Sequence, residues 1–288
     1  MNDTITTEHS VKIGSRILDF SERTYIMGVL NVTPDSFSDG GKFFSTERAV
    51  AHALQMIEDG ADIIDIGGES TRPKGVYGET AQISAEQELE RVLPVIEYLA
   101  AKTETLLSID TTKSAVAEAA LSAGAQIVND ISGLRFDPHV AEVAAKHHAA
   151  LIVMHIQGTP ETMQINPQYN DVVAEVKAEL EESLRSAESA GVENIFIDPG
   201  IGFGKNLRHN LLLLKHLSEF QSLKRPIVIG TSRKKFIGEL LHAEVDDRME
   251  GTAASVSAAI LHGADIVRVH DVKTMKRVAV IADAIKRA

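Results

Sequence analysis

Short apolar runs alternate with longer segments of helical periodicity along almost the whole chain. Eight runs stand out: TYIMGVLN (24–31), ADIIDIGG (61–68), TLLSID (105–110), AQIVND (125–130), ALIVMH (150–155), NIFIDPG (194–200), PIVIGTSR (226–233) and DIVRVHD (265–271). Being apolar on both alternating faces, they read as strands of a parallel sheet covered by helices. Segments between them, such as ERAVAHALQMIEDG and SAVAEAALSAGA, place apolar residues at helical spacing and end at a glycine, a common helix stop. A Gly-Ala or Gly-Val pair at Gly60, Gly124, Gly191 and Gly263 opens four of the strands. Such a pair is in itself an ordinary way to end a helix. If each interval holds two βα units, the marked strands are the second, fourth, sixth and eighth.

Eight βα units in roughly 250 residues match the size of a (β/α)8 barrel. The expected fold class is therefore α/β, a single (β/α)8 TIM barrel over 24–288. Residues 1–23 would form a tail and an N-terminal β-hairpin, since HSVKIGSRILDF alternates around a Gly-Ser turn, and that hairpin would close the bottom of the barrel. No Ser/Gly linker or low-complexity tract divides the chain.

Composition narrows the function. A chain of 288 residues with 44% hydrophobic residues can bury a large core. The absence of cysteine excludes disulfides and thiolate metal sites. No apolar run approaches the ~20 residues of a membrane helix, and MNDTITTEHS lacks the basic and apolar regions of a signal peptide. The expectation is a cytoplasmic protein with no membrane partner. A formal net charge of -12 argues against nucleic acid, so any bound anion must be held by local cations.

A barrel of this kind builds its active site at the C-terminal ends of its strands. Those positions supply Asn31, Thr71, Arg72, Asp110, Asn129, His155, Asp198, Lys234, Arg268 and His270. Any single Asp or Asn there could be a helix N-cap, and any single cation a solvated surface group. The set is more informative. Arg72, Lys234, Arg268 and His270 come from three strand ends and suit a doubly charged leaving group such as diphosphate. Arg268 and His270 share a side of their strand by period two. Asp110, Asn129 and Asp198 form an acceptor-rich group suited to a heterocycle with an amino-pyrimidine edge. His155 could equally be a packed neutral imidazole. His147, His148, His209, His216 and His262 fall in helical patterns, and no HExxH spacing suggests zinc.

The motifs LNVTPDSFSDGG, DIGGESTRP, SIDT, NDISG, DPGIGFGK, GTSRK and RVHDV, spread over about residues 24 to 275, resemble in order and spacing those of the dihydropteroate synthase family. The resemblance implies condensation of 6-hydroxymethyl-7,8-dihydropterin diphosphate with 4-aminobenzoate, giving 7,8-dihydropteroate and diphosphate in folate biosynthesis. It also implies Mg2+ as cofactor, sulfonamides as competitors and a homodimer. Carried over by position, Asn31 and Asp39 would hold the metal. Thr71, Arg72, Arg268 and His270 would bind diphosphate. Asp110, Asn129, Asp198, Lys234 and Met154 would hold the pterin, with Asp110 also stabilising positive charge on the pterin methylene. Phe37, Pro73, Phe203, Lys234 and Lys235 would line the aminobenzoate slot. Asp110, Lys234 and Asn31 form the catalytic group. An arylamine is already nucleophilic at neutral pH, so no Ser-His-Asp arrangement is required. The sequence departs from the family at Lys235, where many members have Ser, and in RPKGVYGETAQIS, which is longer than usual. Two rivals remain at this stage. A pterin-dependent methyltransferase would need no diphosphate clamp, and a non-catalytic pterin-binding protein would bind without turnover.

Overall fold

A computed structural model of the chain describes residues 9–33, 41–69 and 83–288, with 41–45 by backbone alone. Strands β1 (Ser10–Ile13) and β2 (Arg16–Asp19) form the expected antiparallel hairpin, with Ile13 opposite Arg16. Gly14 at the turn adopts φ +57°, the left-handed region that glycine enters without penalty.

The expected strands follow as β3 (Tyr25–Asn31), β4 (Ile63–Gly67), β5 (Leu106–Asp110), β6 (Ile127–Asp130), β7 (Ala150–Met154), β8 (Ile195–Asp198), β9 (Val228–Ile229) and β10 (Ile266–Val269). All are parallel, in the order β8-β7-β6-β5-β4-β3-β10-β9. The ring closes between β8 and β9 through the Ile197–Ile227 bridge, with Ile197 N–H donating to the Pro226 carbonyl at 3.0 Å. The helices are α1 (Gly41–Glu58), α2 (Ala85–Lys102), α3 (Ser114–Ser122), α4 (His139–Lys146), α5 (Val172–Ser189), α6 (Leu207–Lys215), α7 (Lys235–Leu241), α8 (Met249–Leu261) and α9 (Val272–Arg287). Gly60, Gly124, Gly191 and Gly263 have φ between +89° and +114° and open β4, β6, β8 and β10, the alternation read from the sequence.

Period-two alternation divides the strand side chains between two cores. One set, including Ile26, Leu30, Ile64, Ile66, Leu107 and Ile109, packs outward beneath the helices. The other, Tyr25, Met27, Ile63, Leu106, Ile127, Ile152, Phe196, Val228 and Ile266, points inward and is joined by Ile13 and Leu18 of the hairpin. Most of these inward residues lie toward strand starts, so the hairpin plugs the N-terminal end as expected. Phe20 meets Tyr25 and Phe196 edge to face, at centroid distances of 5.4 and 6.2 Å. With that end filled by apolar side chains, the polar inward positions are left to the C-terminal half.

Candidate active site

One inward position after Ile63, the alternation of β4 delivers Asp65, and on β5 it delivers Ser108 and then Asp110. On β6 it delivers Asn129, on β8 Asp198 and on β10 Arg268. These groups meet at the centre of the ring. Arg268 donates from Nε to Asp65 Oδ2 at 2.6 Å and from Nη2 to Asp110 Oδ2 at 2.7 Å, and Asn129 Nδ2 donates to the same Asp65 oxygen at 3.0 Å. Asp65 is fully buried. A guanidinium fork is suited to gripping two carboxylates at once, and each charge is tolerable there only because the others are present. Burial, reinforced by Asp65, Glu88 and Asp130, pushes the Asp110 carboxyl up to about 7 even though Arg268 pulls it down. For Arg268, burial alone would lower the pKa, but Asp65 and Asp110 outweigh it and the net shift is upward. Neither Asp110 nor Asn129 caps a helix. Lys113 occupies the N-cap position of α3, without a side-chain cap.

On the opposite wall, Gly200 N–H donates to Asp198 Oδ1 at 2.7 Å. Burial raises the Asp198 pKa, opposed first by Lys234. Lys234 is lowered to about 8, mainly by burial, with Asp198 pulling it back. Its ammonium donates to the Ile201 carbonyl and lies 4.5 Å from the centroid of the Phe203 ring. Phe203 backs onto Ile131, Met154, Ile156 and Met163, so Met154 and Phe203 share one apolar wall. Lys234 is aimed by the GTSRK turn. There Arg233 takes φ +59°, held by Asp271 through Nε at 3.0 Å and Nη2 at 2.7 Å, while Arg248 Nη1 donates to its carbonyl at 2.9 Å. His270 faces Ser232, whose hydroxyl lies 3.0 Å from His270 Nδ1. Asn31 ends β3 on the rim, half-buried. Lys235 is exposed, with its ammonium 3.3 Å from Glu239. Phe37, Asp39, Thr71, Arg72 and Pro73 lie outside the described residues.

Thus Asp110, Asn129, Asp198, Lys234, Met154, Phe203, Arg268 and His270 converge at one mouth. Asp65 is a buried partner of this set that the sequence reading did not single out. It lies one inward position below the strand end, and the Ile63–Asp65–Gly67 alternation was the available signal. Lys205, whose side chain is buried beside His155, ends the DPGIGFGK motif, where a lysine after glycines carries no signal of burial. His155 has its pKa lowered to about 4, first by burial and then by Lys205.

Residues 27–270 match the family described as pterin binding enzyme. The chain is 47% identical over 278 residues to the dihydropteroate synthase of Synechocystis, covering 96% of this chain and 94% of that protein. The chain belongs to the dihydropteroate synthase family. Among solved members, the Xanthomonas albilineans synthase with 4-aminobenzoic acid has a TM-score of 0.89 at 42% identity, covering 98% of this chain and all of that one. The Yersinia pestis synthase in a sulfonamide complex gives a TM-score of 0.89 at 42% identity, over 97% of this chain and all of the other.

Proposed function

We propose that this member of the synthase family joins 6-hydroxymethyl-7,8-dihydropterin diphosphate to 4-aminobenzoate through the residues gathered at the mouth. The amine nitrogen attacks the pterin methylene carbon, and the C–O bond breaks with its electron pair leaving on diphosphate. The new ammonium then loses a proton, giving 7,8-dihydropteroate. Asp110, Asn129 and Asp198 accept the pterin N–H groups while Lys234 and Met154 bound the ring, and the Asp110 carboxylate offsets charge that develops on the methylene. Arg268, His270, Thr71 and Arg72 take up the charge gained by the departing diphosphate. Phe203, with Phe37, Pro73 and Lys235, forms the slot for the aminobenzoate ring and carboxylate, which sulfonamides would share.

The observation that carries this reading is the buried Asp65–Arg268–Asp110 assembly facing Asp198 and Lys234, an arrangement suited to a neutral heterocycle joined to a polyanion. Mg2+ would be held by Asn31 and Asp39 and would screen the diphosphate. An amide and a carboxylate oxygen fit a cation that keeps most of its waters and borrows substrate oxygens.

A homodimer is proposed on separate grounds. Val280, Ile281 and Ile285 of α9 are 57%, 63% and 62% exposed, and Leu261 of α8 is exposed as well, an apolar surface that a second copy of the chain would cover. Sedimentation of Ile281→Glu against the parent chain tests it, and unchanged mass would refute it. No helix among the described residues is long and apolar enough to cross a membrane. The reaction is tested by diphosphate release from purified protein. Release that depends on aminobenzoate and collapses in Arg268→Ala is expected, whereas pterin binding without release would overturn the proposal.

A further inference from the structure

Lys205 ends the DPGIGFGK motif, and its side chain is buried although it touches none of the carboxylates that line the mouth. Its ammonium donates to the Phe203 carbonyl at 2.9 Å, His155 Nδ1 at 2.8 Å and, more weakly, the His155 carbonyl at 3.4 Å. Three donors meet three acceptors, so the cation is satisfied without solvent. Because Nδ1 accepts, the ring proton sits on Nε2, which faces Glu179 Oε2 of α5 at 3.3 Å. The loop that Lys205 holds is pinned at every step. Lys234 donates to the Ile201 carbonyl, Gln164 Nε2 to Gly202 at 2.8 Å and the Tyr169 hydroxyl to Gly204 at 2.9 Å. Gly200 and Gly204 have φ of +70° and +67°, and a Cβ at either would lie 1.8 or 2.6 Å from the carbonyl oxygen of His155 or Gln157. The segment after β7 and the segment after β8 are therefore in backbone contact; Gln164 and Tyr169 bond across from the first to the second, and Lys205 bonds across from the second to His155 in the first while also holding the Phe203 carbonyl.

We infer that Lys205, braced by His155, is a positioning residue that fixes Phe203 as the wall of the arylamine slot and so sets affinity for the aromatic amine. The inference rests on the reading of Phe203 as part of that slot. Lys205 holds the Phe203 backbone from behind while Lys234 and the apolar residues around Met154 fix its ring from the other sides. Removing the Lys205 ammonium leaves the ring its apolar neighbours but frees its backbone to shift, so the slot loosens while Asp110, Asn129 and Asp198 keep their own hydrogen bonds.

The test is steady-state kinetics of Lys205→Met, with the KM of each substrate measured at saturation of the other and the inhibition constant of a sulfonamide measured alongside. Loss of one buried charge-assisted bond predicts a KM for 4-aminobenzoate about tenfold higher, a parallel rise in the sulfonamide constant and a pterin-diphosphate KM within about twofold of the parent. Equal movement of both KM values, or of neither, overturns the inference. Phe203→Ala separates it from the reading beneath it. If Phe203→Ala leaves the aminobenzoate KM alone, the slot assignment fails. If Phe203→Ala raises it and Lys205→Met does not, the positioning role fails. Should Lys205→Met not fold, His155→Leu and His155→Gln decide. The split should appear with Leu and be largely restored by Gln, which keeps an acceptor for Lys205; identical KM values in the two variants would refute the brace.

Discussion

Replacing Asp65 by asparagine changes charge at the floor of the site while nearly preserving shape. In the parent protein Asp65 and Asp110 share one guanidinium, with contacts of 2.6 and 2.7 Å. Two carboxylates gripping the same guanidinium lie ~5 Å apart, which at an effective dielectric of about 20 corresponds to about 3 kcal/mol of repulsion, or ~2 pH units on the Asp110 carboxyl. The groups facing Asp110 are Arg268, Asp65, Glu88 and Asp130, and the substitution removes one of the three anions. In the proposed role Asp110 accepts substrate N–H groups only when ionised, so kcat/KM is expected to fall as pH drops through its pKa, near 7 in the parent. In Asp65→Asn this acid limb should move to lower pH by at least ~1 unit, the remainder of the effect being absorbed by water and by relaxation around Arg268. The assay is kcat/KM for the pterin diphosphate, followed by diphosphate release from mildly acidic to mildly alkaline pH, with thermal melting to confirm folding. An acid limb that stays in place or moves up would falsify the view that Asp65 and Asp110 compete for Arg268.

Three further substitutions probe the same framework. Arg268→Ala leaves two buried carboxylates without their cation and should cost about 3–5 kcal/mol in urea denaturation near neutral pH; the loss should shrink in acid as the Asp110 carboxyl protonates, and a pH-independent loss would argue for packing instead. Asp110→Asn should abolish turnover while raising the melting temperature. The folded protein keeps the Asp110 proton up to about pH 7, whereas an unfolded chain releases it near the ordinary aspartate value. That raised pKa makes the parent lose stability as pH climbs through this window, so the stabilisation by asparagine should be absent near pH 4 and full above 7; a constant difference across pH would refute it. Gly204→Ala places a Cβ 2.6 Å from the Gln157 carbonyl at φ +67°, which should cost about 1–3 kcal/mol of stability and raise the aminobenzoate KM, and a neutral effect in equilibrium unfolding would show that the two loops are not in fixed contact.

The barrel was legible because doubly buried strands leave continuous apolar runs, and because four of its helices, α1, α3, α5 and α8, end at a glycine whose backbone turns left-handed. The exception is β9. The run 226–233 reads as a full strand, yet only Val228 and Ile229 pair as one. Pro226 offers no N–H to a neighbour, and beyond Ile229 the chain turns through left-handed Arg233 to aim Lys234 at Asp198, so aiming the lysine takes precedence over extending the ladder. The strand-end acceptors were legible for the same reason as the strands: Asp110, Asn129 and Asp198 each terminate an apolar run. Asp65 was not, because within IIDIG it is flanked by isoleucines and interrupts a run rather than ending one. Only inward periodicity, taken together with a cation two strands away at Arg268, marks it as paired rather than misplaced. Lys205 was less legible still. A lysine after glycines in a polar loop looks solvated, and its burial follows from the meeting of two loops 50 residues apart in sequence, Lys205 on His155. Local pattern therefore locates the groups presented to the substrate, whereas those that hold them from behind emerge only once the ring has closed.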